Sequence, residues 1–173
     1  MTACRGSAIN IGTKMNVIVN IGSNLGNTRL NLSRAMAAIV NRFGDIEMSH
    51  AMDSEPWGFE SPHRFLNVCI MFATDLAPAE VHEILRGIEA DISPAAHRAP
   101  DGSYADRLID IDIVAIDDMV IDTPELQVPH PRLPERDFFL KPLAEIAPGW
   151  RHPVNGMSPD EMLALLPPRQ QPS

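Results

Sequence analysis

Residues 64–74 read R-F-L-N-V-C-I-M-F-A-T, a run of mostly apolar and aromatic side chains that predicts a long β-strand. Alternate side chains of a strand point to opposite faces of its sheet. One face of this strand would carry only apolar side chains, from Leu66, Val68, Ile70 and Phe72. The other face would begin with Phe65 and Asn67. The first face is therefore predicted to lie in the core, and the second presents an aromatic ring and an amide where the strand begins.

A helix is predicted on each side of this strand. Apolar residues recur at helical spacing over 30–40 and again over 81–88. Further strands are predicted over 16–21 and 46–52, before the long strand, and over 108–116, after the second helix. This order of strand, helix, strand, strand, helix and strand predicts an α+β fold, a ferredoxin-like antiparallel sheet with helices packed on one face.

The remaining segments are less regular. Residues 91–106 contain two prolines and one glycine without periodicity, which predicts a long flexible loop. The C-terminal part is predicted to hold a short partner strand around 119–121, an irregular stretch over 124–134, a helix over 138–146 and a last helix opened by Ser158. Residues 15–173 are expected to form a single domain, preceded by a loose extension over 1–14.

The amino-acid composition argues against several classes of protein. The chain has 173 residues, 45% of them hydrophobic, and a net charge of −9, so it can bury a substantial core. The acidic balance argues against a broad surface for nucleic acid, and no apolar run approaches the roughly 18 residues of a membrane span. Cys4 and Cys69 are too few for a disulfide framework. A reducing cytoplasm is therefore the expected location.

Two carboxylates stand in the apolar strand L-I-D-I-D-I at residues 108–113. Asp110 and Asp112 share one face of it, while Ile109 and Ile111 enter the core. Carboxylates about 7 Å apart along a strand repel each other unless a cation lies between them, and oxygen ligands of this kind suit Mg²⁺. A strand with one solvent-facing polar side explains the same pattern, but the buried flanks favour a metal site.

Other patterns leave alternatives open. Arg107, Arg132 and Arg136 lie near this strand in sequence, and guanidinium groups bind phosphate oxygens bidentately, although arginine excess also follows from coding bias. His130 is either a phosphate hydrogen-bond donor or a packed loop histidine. The glycine-containing segment at 22–27 lacks the spacing of a P-loop or a dinucleotide fingerprint, so a turn with a helix cap is favoured over a phosphate loop.

Six motifs occur in a fixed order between about Asn16 and Leu166. They are V-N-I-G-S-N-L-G-N at 19–27, E-P-W-G at 55–58, R-F-L-N at 64–67, R-L-I-D-I-D-I at 107–113, V-I-D-T-P-E-L-Q-V-P-H-P-R at 120–132 and R-D-F-F-L-K-P-L-A-E-I-A-P at 136–148. In this order they closely resemble the 6-hydroxymethyl-7,8-dihydropterin pyrophosphokinase family.

The resemblance implies a ferredoxin-like enzyme of folate biosynthesis that moves the β,γ-diphosphate of ATP onto the hydroxymethyl group of the pterin and releases AMP. Two Mg²⁺ ions would be held by Asp110 and Asp112. The implied ATP-binding residues are Glu89, Arg107, Ile111, His130 and Arg136. The implied pterin-binding residues are Ser54, Trp57, Phe65, Asn67 and Phe138, of which the two phenylalanines would stack on the flat ring and the asparagine would bind its edge.

The chain departs from the family pattern in one region. Family members carry Gly-Arg-x-Arg after the second helix and Arg-Trp-x-x-Arg before the aspartates, whereas this chain has A-H-R-A at 96–99 and S-Y-A-D-R at 103–107. Arginines are missing at Ala99 and Ser103, and Tyr104 stands where tryptophan is usual. Arg107 is retained as a catalytic arginine, and Arg98 is the candidate replacement for a lost one. The loss of these arginines is expected to affect the catalytic rate.

Two rival functions belong to other classes. One is a degenerate paralogue that binds pterin or nucleotide without turnover, which the thinned arginine loop favours and the intact aspartates disfavour. The other is a two-metal nucleotidyl transferase or cyclase, which would not need aromatic plates at Phe65 and Phe138. The expected partners are ATP and the hydroxymethyl dihydropterin, with no nucleic acid and no membrane, and the chain is expected to be a monomer or weak homodimer.

Overall fold

The computed structural model describes residues 12–94, 100–101 and 104–168. The elements, in chain order, are β1 (Met15–Ser23), α1 (Thr28–Phe43), β2 (Ile46–Met48), β3 (Met52–Ser54), β4 (Phe65–Thr74), α2 (Pro78–Ile92), β5 (Asp110–Ile116), β6 (Ile121–Asp122), β7 (Gln127–Val128), a 3-10 turn (Leu133–Glu135), α3 (Asp137–Ile146) and α4 (Pro159–Leu165). Within these ranges, every helix is too short or too polar to cross a membrane.

The main sheet is antiparallel and runs β2-β4-β1-β5, and β3 also pairs with β4. Strand β1 is therefore central, with β4 on one side and β5 on the other. Asn20 of β1 lies opposite Cys69 and Asp112, in the register of both pairs. The strand order confirms the predicted ferredoxin-like antiparallel sheet.

The first face of the sheet packs against α1 and α2, as predicted. Val19, Ile70 and Ile113 of the sheet share one buried cluster with Leu85 of α2 and Ile39 of α1. Burying side chains of this size is worth about 1.5–3 kcal/mol each. The predicted alternation is confirmed for β4 and for the first half of β5, because Leu66, Val68, Ile70 and Phe72 enter this core, as do Ile109, Ile111 and Ile113. It does not continue to the end of β5, where the register with β1 shifts and Ala115 packs on the other face.

The second face carries helices that the sequence prediction did not place there. Phe139 and Leu143 of α3 and Met162 of α4 pack with Ile18 and Cys69 of the sheet. Helix α3 forms despite Pro142 inside it. The two C-terminal helices cover only part of this face, so the ends of β1, β4 and β5 that carry polar side chains stay open to a cleft.

The single strand predicted over 46–52 is wrong, because two short strands stand there. The Ser49 N–H donates to the Cys69 carbonyl at 2.8 Å, while the Ser49 hydroxyl accepts the Cys69 N–H at 2.9 Å. A side-chain oxygen thus replaces a backbone carbonyl, which ends β2. The chain then rejoins the edge of β4 as β3, with Ser54 opposite Phe65.

The prediction around 119–121 is also corrected. Strand β6 does not pair with β5 but with β7, inside the stretch expected to be irregular, where Ile121 faces Val128. Asp117 has φ of +43° and directs the chain away from β5. The predicted loop over 91–106 begins with the end of α2, and residues 95–99 and 102–103 lie outside the described residues, as do 1–11 of the predicted extension.

Candidate active site

A cleft of about 380 Å³ opens on the second face of the sheet, beyond the edge of α3. Its floor is formed by polar residues of β1, β4 and β5, and its walls come from the 55–59 loop, the residues before β5 and the segment leading into α3. It is lined by Asn20, Gly22, Ser54, Glu55, Trp57, Phe59, Phe65, Asn67, Tyr104, Arg107, Asp110, Asp112, Gln127, His130, Pro131, Arg132, Arg136, Phe138 and Phe139. Most of the residues singled out from the sequence therefore share one cavity.

Asp110 and Asp112 lie side by side on the floor of this cleft, because β5 directs alternate side chains to this face. The Asp110 carboxylate accepts a hydrogen bond from Arg107 Nη1 at 2.9 Å. Burial raises the pKa of Asp112, and the guanidinium groups of Arg136 and Arg107 oppose that rise. Nearby positive charge therefore only partly compensates the cost of ionising Asp112.

This pair of carboxylates suits a divalent cation that is shared with a ligand. A cation between them would relieve the desolvation that raises the Asp112 pKa. In the described part of the chain, no three His, Cys, Asp or Glu side chains are grouped closely enough to hold a metal alone. Mg²⁺ commonly uses one or two carboxylates and completes its shell with waters and substrate phosphates, so the donor set fits this ion.

Arg107 is held firmly at the wall of the cleft. Its guanidinium lies 5.6 Å from the ring centres of both Phe65 and Tyr104, and its side chain is only 10% exposed. The Asn24 side chain accepts the Arg107 N–H at 2.8 Å, and the Asn24 N–H donates to the Arg107 carbonyl at 3.2 Å. The loop after β1 thus fixes the backbone of Arg107, and its Nε has no partner among the described residues.

That loop forms a turn with a helix cap, as favoured from the sequence. The Asn27 side chain accepts the Leu30 N–H and caps α1. Asn24 also donates to the Asp106 carboxylate at 2.7 Å. The conspicuous asparagines of this motif therefore cap a helix and tie down the chain just before β5.

Arg136 is enclosed by aromatic rings. Its guanidinium lies 4.5 Å from the ring centre of Trp57 and 4.9 Å from that of Phe139, distances at which cation–π attraction operates. Burial lowers its pKa, while Asp112 and a hydrogen bond with Tyr104 oppose the change. Its Nε also lacks a partner among the described residues. The side chain of Trp57 therefore forms part of the site.

His130 is a neutral imidazole in this setting. Its Nδ1 accepts the backbone N–H of Arg132 at 3.1 Å, which leaves the proton on Nε2. Burial, with Arg136 and Arg132 nearby, lowers its pKa to about 4. At neutral pH His130 can therefore offer one N–H to a ligand but carries no charge.

Most of the residues expected to bind the pterin lie on the β4 side of the cleft floor, and Phe138 reaches the cleft from α3. Asn67 Nδ2 donates to Ser54 Oγ at 2.7 Å and to the Met52 carbonyl at 3.5 Å. Phe65 and Phe138 are 9% and 8% exposed and both line the cavity. An amide and two ring surfaces therefore face the same space.

Glu89 and Ile111 occupy supporting positions. The Glu89 carboxylate accepts the Ile111 N–H at 2.8 Å, a group on the open edge of β5. Burial, with Asp110 nearby, raises the Glu89 pKa to about 7. The Ile111 side chain belongs to the core, and it also borders a shallower depression next to His130. Glu89 is not among the residues that line the cleft, so its contact orients the aspartate strand.

Several residues that line the cleft were not singled out from the sequence, among them Phe59, Asn20 and Gln127. Phe59 packs edge-on against Phe65, with ring centres 6.3 Å apart. Asn20 is 3% exposed and sits on the floor beside Asp112. Gln127 faces the cavity from β7. The asparagine in an otherwise apolar strand was the one visible signal. Arg98 lies outside the described residues.

Comparisons with known proteins identify the family of the chain. The chain matches the 7,8-dihydro-6-hydroxymethylpterin-pyrophosphokinase (HPPK) family over residues 18–148. A protein of Porphyromonas gingivalis called 2-amino-4-hydroxy-6-hydroxymethyldihydropteridine pyrophosphokinase is 39% identical over 139 residues, which cover 79% of this chain and 93% of that protein. A protein of the same name from Aquifex aeolicus is 37% identical, with 80% and 84% covered.

A solved structure shares the fold. It is the Plasmodium falciparum HPPK-DHPS triple mutant with SDX-DHP, with a TM-score of 0.67 and 13% identity. The match covers 90% of this chain and 45% of that chain, so the present chain spans a little under half of it. At this identity the likeness concerns the fold alone. The family match and the identity to both bacterial proteins show that the chain belongs to the 7,8-dihydro-6-hydroxymethylpterin-pyrophosphokinase family.

Proposed function

We propose that the chain transfers the β,γ-diphosphate of ATP to the hydroxymethyl group of 6-hydroxymethyl-7,8-dihydropterin and releases AMP, as a step of folate biosynthesis. The observation that carries this proposal is that one cleft holds a carboxylate pair, two buried arginines and an aromatic slot with an amide. Family membership supplies the reaction class. Diphosphate transfer needs alignment and charge neutralisation more than a strong base, and these groups supply both.

The ATP half of the site is assigned to the β5 side of the cleft. Arg107 and Arg136 would bind phosphate oxygens, since each has a guanidinium at the cavity and an Nε–H that no described residue accepts. His130 would donate its Nε2–H to an oxygen of the nucleotide. In this proposal Glu89 and Ile111 act on ATP binding through the position of β5.

Asp110 and Asp112 are proposed to hold two Mg²⁺ ions together with the ATP phosphates. When bound, these ions neutralise phosphate charge and align the reacting groups. The two carboxylates supply fixed oxygen ligands from one rigid strand, and Arg107 holds Asp110 in place through its 2.9 Å contact. The arrangement leaves most of each coordination shell to water and phosphate.

The pterin half is assigned to the end of the cleft at Asn67. Phe65 and Phe138 would stack on the two faces of the ring, while Asn67 and Ser54 would bind its polar edge. The Trp57 side chain, packed on Arg136, would join the pterin loop to the phosphate-binding arginine. The two substrates would thus meet above the strand that carries the aspartates.

A single assay tests the proposed function. The protein is incubated with ATP, Mg²⁺ and the hydroxymethyl dihydropterin, and the products are separated by chromatography. AMP and pterin diphosphate in equal amounts support the proposal. Binding of both substrates without AMP indicates the degenerate paralogue, and consumption of ATP without pterin indicates a nucleotidyl transferase or cyclase.

The cellular location and the oligomeric state of the protein are further proposals. A cytoplasmic location is proposed from the free, buried Cys69 and from a chemistry that uses ATP. The chain is proposed to act as a monomer or weak homodimer without nucleic acid or membrane. Analytical ultracentrifugation at micromolar concentration tests the oligomeric state, and sedimentation as a tight oligomer would contradict it.

Phe138→Ala is expected to raise the pterin KM about three- to tenfold and to change ATP affinity by less than about twofold. The substitution removes one stacking surface, and aromatic contacts are worth about 0.5–1.5 kcal/mol beyond area burial. Steady-state kinetics with each substrate varied in turn measures the effect. Phe43→Ala is the matched control, because Phe43 stacks on Phe72 in the other core. Equal losses for both substrates would make Phe138 a core residue only.

Gly22→Ala is expected to weaken pterin binding about two- to tenfold without weakening ATP binding. A Cβ at Gly22 would lie 3.0 Å from Asn67 Oδ1 and 3.4 Å from Phe65 Cδ1, so the amide and the ring must shift, at about the cost of one neutral hydrogen bond. Equilibrium titration with 6-hydroxymethylpterin measures the change. Gly149→Ala is the control, because no atom lies within 4 Å of its added Cβ. Unchanged pterin affinity would show that Asn67 is not a pterin ligand.

A further inference from the structure

Asn20 holds a buried carbonyl oxygen without a partner. The residue lies at the centre of β1 and is 3% exposed, yet its Oδ1 accepts no hydrogen bond in the described structure. Leaving such a group unpaired costs about 1–3 kcal/mol, and few buried polar atoms in native proteins lack a hydrogen-bond partner. Because Asn20 lines the cleft, a donor on a bound molecule is the natural partner.

The orientation of the Asn20 amide is determined by its neighbours. The Met52 carbonyl can only accept, so Asn67 turns its Nδ2 toward that carbonyl and toward Ser54 Oγ. Asn67 Oδ1 is then left facing Asn20, whose Nδ2 donates to it at 3.4 Å. Exchanging O and N in Asn20 would place two carbonyl oxygens together. The unpaired atom of Asn20 is therefore the oxygen, an acceptor.

The position of Asn20 selects the donor. It lies between the proposed pterin edge site at Asn67 and the proposed phosphate site at Asp112, its direct partner in the β1–β5 register, where facing Cβ atoms are about 4.5–5.5 Å apart. The ionised triphosphate of ATP has acceptors only, so it cannot satisfy Oδ1. In the proposed function the ring N–H groups of the pterin bind at Asn67 and Ser54, whereas its hydroxymethyl O–H must reach the region of Asp112 to receive the diphosphate.

We propose that Asn20 binds the acceptor alcohol: its Oδ1 accepts the hydrogen bond of the substrate hydroxymethyl O–H and so makes the site selective for a hydroxylated pterin. This inference rests on the proposed function. The hydrogen bond directs the O–H away from ATP and leaves a lone pair of the same oxygen free to face the β-phosphorus. Asn20 contributes by orienting the nucleophile and takes no proton, since an amide is a very weak base. As the hydroxymethyl oxygen bonds to the β-phosphorus, the bond from that phosphorus to the bridging oxygen breaks, AMP leaves with that oxygen, and the hydroxyl proton passes to solvent water.

The test compares two ligands that differ only in the hydroxyl group, 6-hydroxymethylpterin and 6-methylpterin. Their affinities are measured by calorimetry for the wild-type protein and for Asn20→Ala, with Mg²⁺ and α,β-methylene ATP present. The wild type should prefer the hydroxymethyl ligand by about three- to tenfold, the usual worth of one neutral hydrogen bond. In Asn20→Ala the two ligands should bind with about equal affinity. This holds whether or not the substitution also weakens binding of the ring at Asn67.

Controls separate this role from structural effects. Asn31→Ala removes another buried amide, one that donates to Ser23 and Leu25 outside the cleft floor, and should leave the preference intact. If Asn20→Ala does not fold, Asn20→Ser replaces it, since its shorter side chain cannot reach the same position. Loss of both ligands by the same factor in the Asn20 variant would mean that Asn20 only supports Asn67, and would overturn the proposal.

Further outcomes are equally decisive. A wild type that binds both ligands equally overturns the role of Asn20 while leaving the proposed function standing. The titrations are repeated without Mg²⁺: a preference that is lost without Mg²⁺ and persists in Asn20→Ala assigns the hydroxyl to the metal and also overturns the role of Asn20. A wild type that binds neither ligand under these conditions overturns the proposed function, and with it this inference.

Discussion

Asparagine in place of Asp112 is expected to slow the release of AMP by about three powers of ten or more, and asparagine in place of Asp110 by a similar factor. Charge stabilisation by a bound metal ion is worth several kcal/mol, and about 1.36 kcal/mol corresponds to a factor of ten in rate. An amide keeps the shape of the side chain but loses the negative charge that holds the ion. The binding of Mg²⁺ with ATP should weaken in parallel, as measured by titration with a non-hydrolysable ATP analogue.

The fold should survive these substitutions. Burial already raises the pKa of Asp112, so removing its charge also removes a desolvation cost, and the melting temperature of Asp112→Asn without ligands should not fall. Asp118→Asn is the matched control, because Asp118 is exposed in the turn after the same strand. If either aspartate variant releases AMP at a near-normal rate, the carboxylates are not metal ligands and the polar face of β5 has only a solvation role.

The fold was predictable where periodicity is long and local. The alternation in β4 and in the first half of β5, and the turn with a helix cap at 22–27, depend on residues close in sequence, and each is present in the structure. The sequence-based predictions were wrong where an element depends on contact with a residue far away in sequence. The end of β2 depends on a bond between Ser49 and Cys69, and no local pattern records that contact.

The candidate site also has some features that the local sequence predicts and others that it does not. The shared face of Asp110 and Asp112 follows from strand geometry, and the structure places both in the cleft. Their surroundings come from other segments: Trp57 against Arg136, and Asn24 against Arg107, are contacts across 79 and 83 residues of sequence. Such contacts follow from the register of β1 with β5 and from the position of α3. Those long-range relations are not encoded in any single motif.

Arg107→Ala is expected to lower kcat roughly 10²- to 10³-fold, the usual cost of removing one donor that stabilises the transition state. Negative charge grows on the oxygen that bridges the α- and β-phosphates as AMP leaves. Arg107 lies beside Asp110, where the triphosphate is proposed to bind, and its guanidinium has an Nε–H with no described partner to offer. Single-turnover measurements with saturating ATP and pterin separate this effect from product release.

Arg107→Lys and Arg151→Ala complete the experiment. Lysine keeps the charge but not the planar fork, so it should recover only part of the rate. Arg151 bonds to Gly156 and Glu161 at the surface, and its loss should leave kcat unchanged. Because Asn24 bonds to both the backbone N–H and the carbonyl of Arg107, we expect this arginine to be in place before ATP binds. Arg98, in the predicted flexible loop over 91–106, is expected to add about tenfold to the rate. A near-normal kcat in Arg107→Ala, with Arg98→Ala the slower variant, would instead assign transition-state stabilisation to the loop over 91–106.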